Sequence, residues 1–476
     1  MPSILSKEAR IIWRRRIGGF WEEFSRKRIG LVGVVLLMFF VFLALFGPWL
    51  TPYDPLASTR VADNFAMPQW VTILPQFQNL TSTEKTWLDF NIKTESQYIT
   101  SYGRNVTITY QPKKVDSRSI QLNCIYTYTD PVPPNTFYLD FVWSASKMQD
   151  AEYAIRLYAI NTRNASQSYL LYFRTDKVAG GESAHVDSID PILMYRLGLE
   201  PGVDNLGNLV FSDKGDYEFL LDIYLKSQSA SATCTVNFRD TGFVTLGTYH
   251  GILGTDNAGA DIWAQIVYGA RVSLMIGLIA ALLSTTIGIT VGVVTGYIGG
   301  IVDEAMMRIV DILLCLPILP LLLSLVFLFG KNVFYIVLFV AIFGWQGLSR
   351  IVRSQVLSIR ESSFIECATA SGASKSYIMV RHLVPNVLPV AFASLILAVP
   401  SAILFEASLS FLGFGDPRSP TWGKVLQMCF GFGGFSHLAW WWILPPGLCI
   451  TFLCLSFVFM GHAVDEVVNP RLRRRR

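Results

Sequence analysis

The chain is short of charge. Only 16% of its 476 residues are Asp, Glu, Lys or Arg, against about 25% in ordinary soluble domains, while 52% are hydrophobic. Residues 31–50 contain no charged residue, and neither do residues 272–302. An uncharged apolar stretch of about 18 residues or more is long enough to cross a bilayer as a helix. A helix of a soluble core keeps a polar face. The absence of charge over such lengths therefore excludes a soluble globular chain.

Other absences narrow the function. Five histidines and seven cysteines are scattered, with no Cys-x-x-Cys pair or Cys/His cluster, so no metal site is indicated. No Ser/His/Asp set or pair of carboxylates stands out for catalysis. The phosphate loop G-x-x-x-x-G-K-[ST] is missing: Lys331 and Lys424 each follow a glycine, but Asn332 and Val425 come next. The chain thus has no usual means of binding ATP. The first apolar run follows a basic segment but is too long for a cleavable signal, and no small-residue cleavage site follows Leu50.

What is present is a chain of six expected spans, roughly 30–50, 272–299, 312–330, 333–349, 387–405 and 442–462. Arg14 to Arg16, Arg26, Lys27 and Arg28 precede the first span, and Arg471 and Arg473 to Arg476 follow the last. Short basic flanks favour the cytoplasmic side, as do Arg350, Arg353, Arg360, Lys375 and Arg381 after the fourth span. Both termini are then expected on the cytoplasmic side of a cell membrane, and basic clusters so placed report topology rather than nucleic-acid binding. Asp303, Glu304, Arg308 and Asp311 open the third span at helical spacing. Glu304 with Arg308, and Arg308 with Asp311, are expected to pair on one face; Arg308 and Asp311 are also gating candidates. Glu406, near the outer end of the fifth span, is either a path residue or a helix-end charge reaching the headgroups.

Residues 56–249 are of another kind. Ile120, Leu122, Cys124, Tyr126 and Tyr128 alternate with polar residues, as do Tyr153, Ile155, Leu157 and Ala159, and Tyr217, Phe219, Leu221 and Ile223. Period-two combs between turn signals indicate an antiparallel β domain, expected to be a sandwich outside the membrane. Three parts result: 1–55 with the first span, 56–249 as an inserted β domain, and 250–476 with five spans. Cys124 and Cys234 both fall on apolar combs of that domain. In an oxidising exterior they could form a disulfide, and two buried free thiols fit equally well.

The loop over about 358–386 has a pattern of its own. Glu366-Cys367-Ala368-Thr369-Ala370-Ser371-Gly372 is followed by Ala373 to Arg381 and by His382-Leu383-Val384-Pro385-Asn386. It reads as a helix rich in small residues, a glycine reversal, a second amphipathic helix and a proline that opens the fifth span. That could dock a cytoplasmic partner or simply join two spans. The segment resembles the EAA loop of binding-protein-dependent ABC importer permeases, with Glu366, Ala368, Gly372 and Pro385 at the expected spacings. Cys367, His382 and Val384 depart from the pattern, and His382 is itself familiar in the dipeptide, oligopeptide and nickel branch. Leu253-Gly254-Thr255-Asp256 with Gly259 and Asp261, Glu406 to Gly415, and Pro420-Thr421-Trp422-Gly423 resemble further blocks of that branch.

The resemblance implies an all-α permease of six transmembrane helices in the inner membrane, from whose pattern the β-rich insertion at 56–249 is the clear departure. It implies import of peptides or related small solutes, a second homologous permease subunit and an external solute-binding protein. Two ATPase subunits would bind ATP and Mg and dock on Glu366, Ala368 and Gly372. Two other classes remain open from the residues: a membrane-anchored receptor acting through its β domain, and a self-sufficient channel or secondary transporter.

Overall fold

Among the described residues, five helices are long and apolar enough to cross a membrane in the structure, a computed structural model, or six if a bent helix pair counts as one span. Residues 18–468 are described, apart from 58, 95, 131, 164–166, 202 and 213. The basic runs Arg14 to Arg16 and Arg471 to Arg476 lie outside the described residues. The chain divides into two compact units, residues 1–58 with 262–476, and residues 59–261.

In the first unit, α1 (Arg28–Leu50) has no polar face and at 23 residues rises roughly 35 Å, enough to cross the hydrocarbon layer. Gly30 and Gly33 let it lie against α11 (Trp440–Val468): a Cβ at Gly33 would stand 2.7 Å from the Ser456 carbonyl oxygen. Helix α2 (Ile262–Ile298) is the central element and packs on most of the others. The third span is not one straight helix. α3 (Gly300–Cys315) and α4 (Ile318–Phe329) meet at 90°, because Pro317 cannot donate a backbone bond and pushes Leu316 into extended backbone.

The fourth span also differs from expectation. α5 (Val333–Ile342) kinks at Phe343–Trp345 and runs on as α6 (Gln346–Arg360), so Arg350, Arg353 and Arg360 stand on a helix and not in a loop. After α7 (Ser363–Ala370) and α8 (Lys375–Ile378), a π-turn at Met379–Leu383 leads without a break into α9 (Val384–Leu409). Pro385 therefore sits in a continuous helix, and the widened turn accommodates its missing N–H. α10 (Trp422–Gly431) precedes α11.

The second unit is a β-sandwich of two antiparallel sheets. Five strands, β2 (Asn91–Ile92), β5 (Ser117–Tyr128), β10 (Gly215–Ser227), β7 (Ala151–Asn161) and β8 (Ser168–Asp176), form one sheet in that order. In the other, β3 (Ile99–Ser101), β4 (Asn105–Tyr110), β11 (Thr233–Thr245), β6 (Phe137–Gln149) and β9 (Gly180–Asp187) line up, with β1 (Glu84–Trp87) also on β11. The expected combs face the core: Ile120, Leu122, Tyr153, Ile155, Leu157, Phe219, Leu221 and Ile223 are all buried. Leu221 pairs with Leu122 on one side and Leu157 on the other, so the alternation fixes the register. Cys124 and Cys234 stand on different sheets, opposite Phe219 and Tyr110, and are both free thiols. Burial alone pushes the Cys234 thiol up to about 12, as befits a small hydrophobe.

The β unit extends beyond the combs. Segment 59–68 is stitched to 247–261: Val61 N–H donates to the Gly259 carbonyl at 2.9 Å, and Phe65 N–H to the Asp256 carbonyl at 2.9 Å. The Thr255 hydroxyl donates to the Asp63 carbonyl at 2.6 Å. Thr255 and Asp256 are fully buried.

Candidate functional site

The loop around Gly372 is built on a small apolar cluster. Ile365 of α7, Ile378 of α8 and Leu383 of the π-turn pack with Val293 of α2, Val352 and Val356 of α6 and Val387 of α9. The close approach of α2 and α6 beneath it depends on Gly288, Gly292 and Gly296, spaced four apart on one face of α2. A Cβ at Gly292 would stand 2.6 Å from the Val352 Cβ, and one at Gly296 2.8 Å from that of Val356. Small residues of this kind let membrane helices touch backbone to backbone.

α7 ends in a complete Schellman motif. Gly372 N–H donates to the Thr369 carbonyl at 3.0 Å, and Ala373 N–H to the Ala368 carbonyl at 3.1 Å. Gly372 has φ +80°, a left-handed conformation that costs other residues free energy. An added Cβ there would meet nothing within 4 Å. The glycine is required by its backbone angle, not by crowding within this chain. Ser374 then caps α8, its hydroxyl accepting from Tyr377 N–H at 3.3 Å.

With Ile365 turned inward, Glu366, Cys367, Thr369 and Ala370 are left exposed, while Ala368 is half-buried. Glu366, Thr369 and Ala370 edge an open cleft of about 650 Å³, which Tyr297, Arg360 and Lys375 also line. Two bases, one acid and small side chains make a surface that another protein could enter. Of the four residues singled out in this loop, Glu366, Ala368 and Gly372 fall on this ledge and its turn. Pro385 stands apart, in the first turn of α9.

The third-span charges are arranged otherwise than expected. The Glu304–Arg308 and Arg308–Asp311 pairs do not form. Asp303 instead accepts from Arg353 Nε and Nη2, each at 2.5 Å, and Asp311 pairs with Arg350. Both bonds tie α3 to α6, the helix that carries the loop. Their cause is the α3–α4 bend, which leaves α3 free to run beside α6; the charge pattern of a single helix could not show it.

Glu406 is deeply buried in α9, where its carboxylate accepts from the Ser410 hydroxyl at 2.6 Å. It belongs to an interlocked end of the bundle. Trp422 is fully buried, its Nε1 donating to the Ile266 carbonyl at 2.9 Å, and a Cβ on Gly269 would stand 2.6 Å from its ring. Gly423 is held as closely against Ala407. Trp422 and Gly423 thus read as packing, while Glu406 Oε2 is buried without a hydrogen-bond partner, and no groups of three or more His, Cys, Asp or Glu that could hold a metal occur among the described residues.

Comparison with known proteins bears on the same segments. Residues 288–474 match the family of binding-protein-dependent transport system inner membrane components, and residues 16–68 match the N-terminal transmembrane domain of oligopeptide transport permease C. The oligopeptide transport system permease protein OppC of Escherichia coli (strain K12) is 43% identical over 223 residues, 46% of this chain and 72% of that protein. OppC of Haemophilus influenzae is 38% identical over 232 residues, 48% of this chain and 73% of the relative. OppC of Bacillus subtilis (strain 168) is 36% identical over 223 residues, 46% and 72%. A solved structure described as "CBM4 structure and function" is 14% identical, covers 31% of this chain and 76% of that one, and has a TM-score of 0.17, too low to bear on this chain. The two family models leave residues 69–287 unmatched, which takes in all the strands of the sandwich. By these matches the chain belongs to the inner-membrane permeases of binding-protein-dependent ABC importers, in their oligopeptide branch.

Proposed function

We propose that the chain is one permease subunit of an ATP-driven peptide importer, with both termini in the cytoplasm and the β unit outside. A second, homologous permease subunit completes the path, a solute-binding protein delivers the peptide, and two ATPase subunits with ATP and Mg dock on the Glu366–Ala370 ledge. The observation that carries this reading is the ledge itself. It is an exposed, small-residue helix edge over a cleft of about 650 Å³, closed by a glycine turn and rooted by Ile365, Ile378 and Leu383 in the spans.

That construction suits a lever. ATP binding closes the ATPase pair and displaces α7, and the displacement passes through the cluster to α2, α6 and α9, turning the spans as a rigid body between outward and inward access. The β unit, in whose sequence no catalytic cluster is recognisable, serves as a docking surface for the binding protein or the sister permease.

The test is reconstitution with the sister permease, ATPase and binding protein in vesicles. Labelled oligopeptide should accumulate only with ATP, and omission of the ATPase should abolish uptake. Uptake by this chain alone without ATP would instead make it a self-sufficient transporter.

A further inference from the structure

One stretch of the β unit is apolar and faces away from its own core. Segment Gln69–Phe77 forms two short 3₁₀ turns, in which Val71 is buried while Trp70, Ile73 and Leu74 are 48%, 79% and 46% exposed. Ile252 lies beside them, 54% exposed, its carbonyl accepting from Trp70 Nε1 at 3.0 Å. Gln69 N–H also donates to the Gly251 carbonyl at 2.9 Å, so the two segments make one surface.

That surface carries no charge. Residues 65–83 contain no Asp, Glu, Lys or Arg, and neither do residues 241–255. The titratable side chain nearest in sequence to Ile252 is His250, whose pKa is lowered by burial although Asp261 opposes the shift. An exposed apolar cluster of this kind marks a surface that something covers. Trp at such a patch is typical of membrane interfaces, where its ring has an apolar body and a polar edge.

The placement in the chain names the occupant. The β unit is entered from α1, whose last turn carries the exposed Trp49, and it is left into α2. Ile252 stands only ten residues before the first residue of α2. The patch is therefore at the end of the β unit where both chain ends run into the membrane, and the two tethers keep lipid at a high effective concentration. We propose that Gln69–Phe77, with Ile252, is an interfacial anchor that inserts its apolar side chains into the headgroup layer of the adjoining leaflet. Such segments bury their apolar face about 5–10 Å deep. The anchor fixes the β unit on the lipid surface.

The full chain, with the exposed Cys315 and Cys367 replaced by serine, is reconstituted in nanodiscs of phosphatidylcholine and phosphatidylglycerol. An environment-sensitive fluorophore is attached at Ile73→Cys or, as control, at Val178→Cys. Val178 is 67% exposed in the β8–β9 turn, at the opposite end of the strands. Signal from the remaining thiols is subtracted with the labelled parent. The Ile73 label should be quenched by lipid spin-labelled near its carbonyls and shielded from aqueous iodide; the Val178 label should behave in the opposite way. An Ile73 label open to iodide and unquenched by lipid overturns the anchor. So does one shielded from both quenchers, since protein would then cover the patch.

Discussion

At Gly372 two explanations of one glycine can be separated. Its φ of +80° demands a left-handed residue, whereas an added side chain meets nothing in this chain. A β-branched residue there costs about 1–3 kcal/mol of backbone strain, while asparagine tolerates the conformation. Gly372→Val should therefore lose most peptide uptake and most ATPase co-purification while still inserting in the membrane, and Gly372→Asn should keep the greater part of both. Equal loss in the two variants would mean that the partner needs a bare backbone there. The turn at Gly372 was legible in the sequence because a glycine ending a helix is a local signal. Burial is not local. Glu406 could be read as a path residue or as a helix-end charge reaching the headgroups, and its burial beside Ser410, which a single span does not reveal, speaks against the second. The same is true of Cys124 and Cys234, whose apolar combs were correct but whose separation on two sheets depends on strand order.

Among the elements, lengths and apolar runs were readable and their bends were not. Pro317 stands in an apolar run that hydropathy joins into one span, yet the structure turns 90° there. With α3 freed from α4, its acids reach α6. Sequence reasoning could offer only partners on the same helix, because i, i+4 spacing is all that a single helix reveals. The fork of Arg353 on Asp303 is partly shielded, the two side chains being 31% and 16% exposed, and it is bidentate, the stronger arrangement for this pair. Asp303→Ala or Arg353→Ala should each lower the melting temperature of the purified chain, in keeping with about 1.5–3 kcal/mol for a hydrogen bond to a charged group. The reversal, Asp303→Arg with Arg353→Asp, should recover part of the loss. A double reversal no better than the worse single variant would show that the surroundings, and not the pair, set the stability.

For the whole molecule, the change from long apolar runs to period-two combs announced two units, but the junction was hidden. The block Leu253 to Asp261 resembles the family's sequence before its second span, and it folds into the β unit against 61–67. The insertion therefore grows out of a paired stem: Met67 N–H donates to the Thr248 carbonyl, and His250 N–H to the Met67 carbonyl, both at 2.8 Å. The permease end is independently closed. Trp263 Nε1 donates to the Leu50 carbonyl at 3.3 Å, so α1 and α2 are held together without help from the sandwich. Replacing residues 69–246 by a flexible Gly/Ser linker should thus leave the stem, the spans and the Gly372 turn in place. The variant should insert, co-purify with the sister permease and bind ATPase as the full chain does. Peptide delivery is where the two should part. If the sandwich receives the binding protein, uptake from the loaded binding protein in vesicles should fall to background while ATPase binding is unchanged. Uptake at the full chain's rate would mean that the sandwich is dispensable for import and that its docking role is wrong.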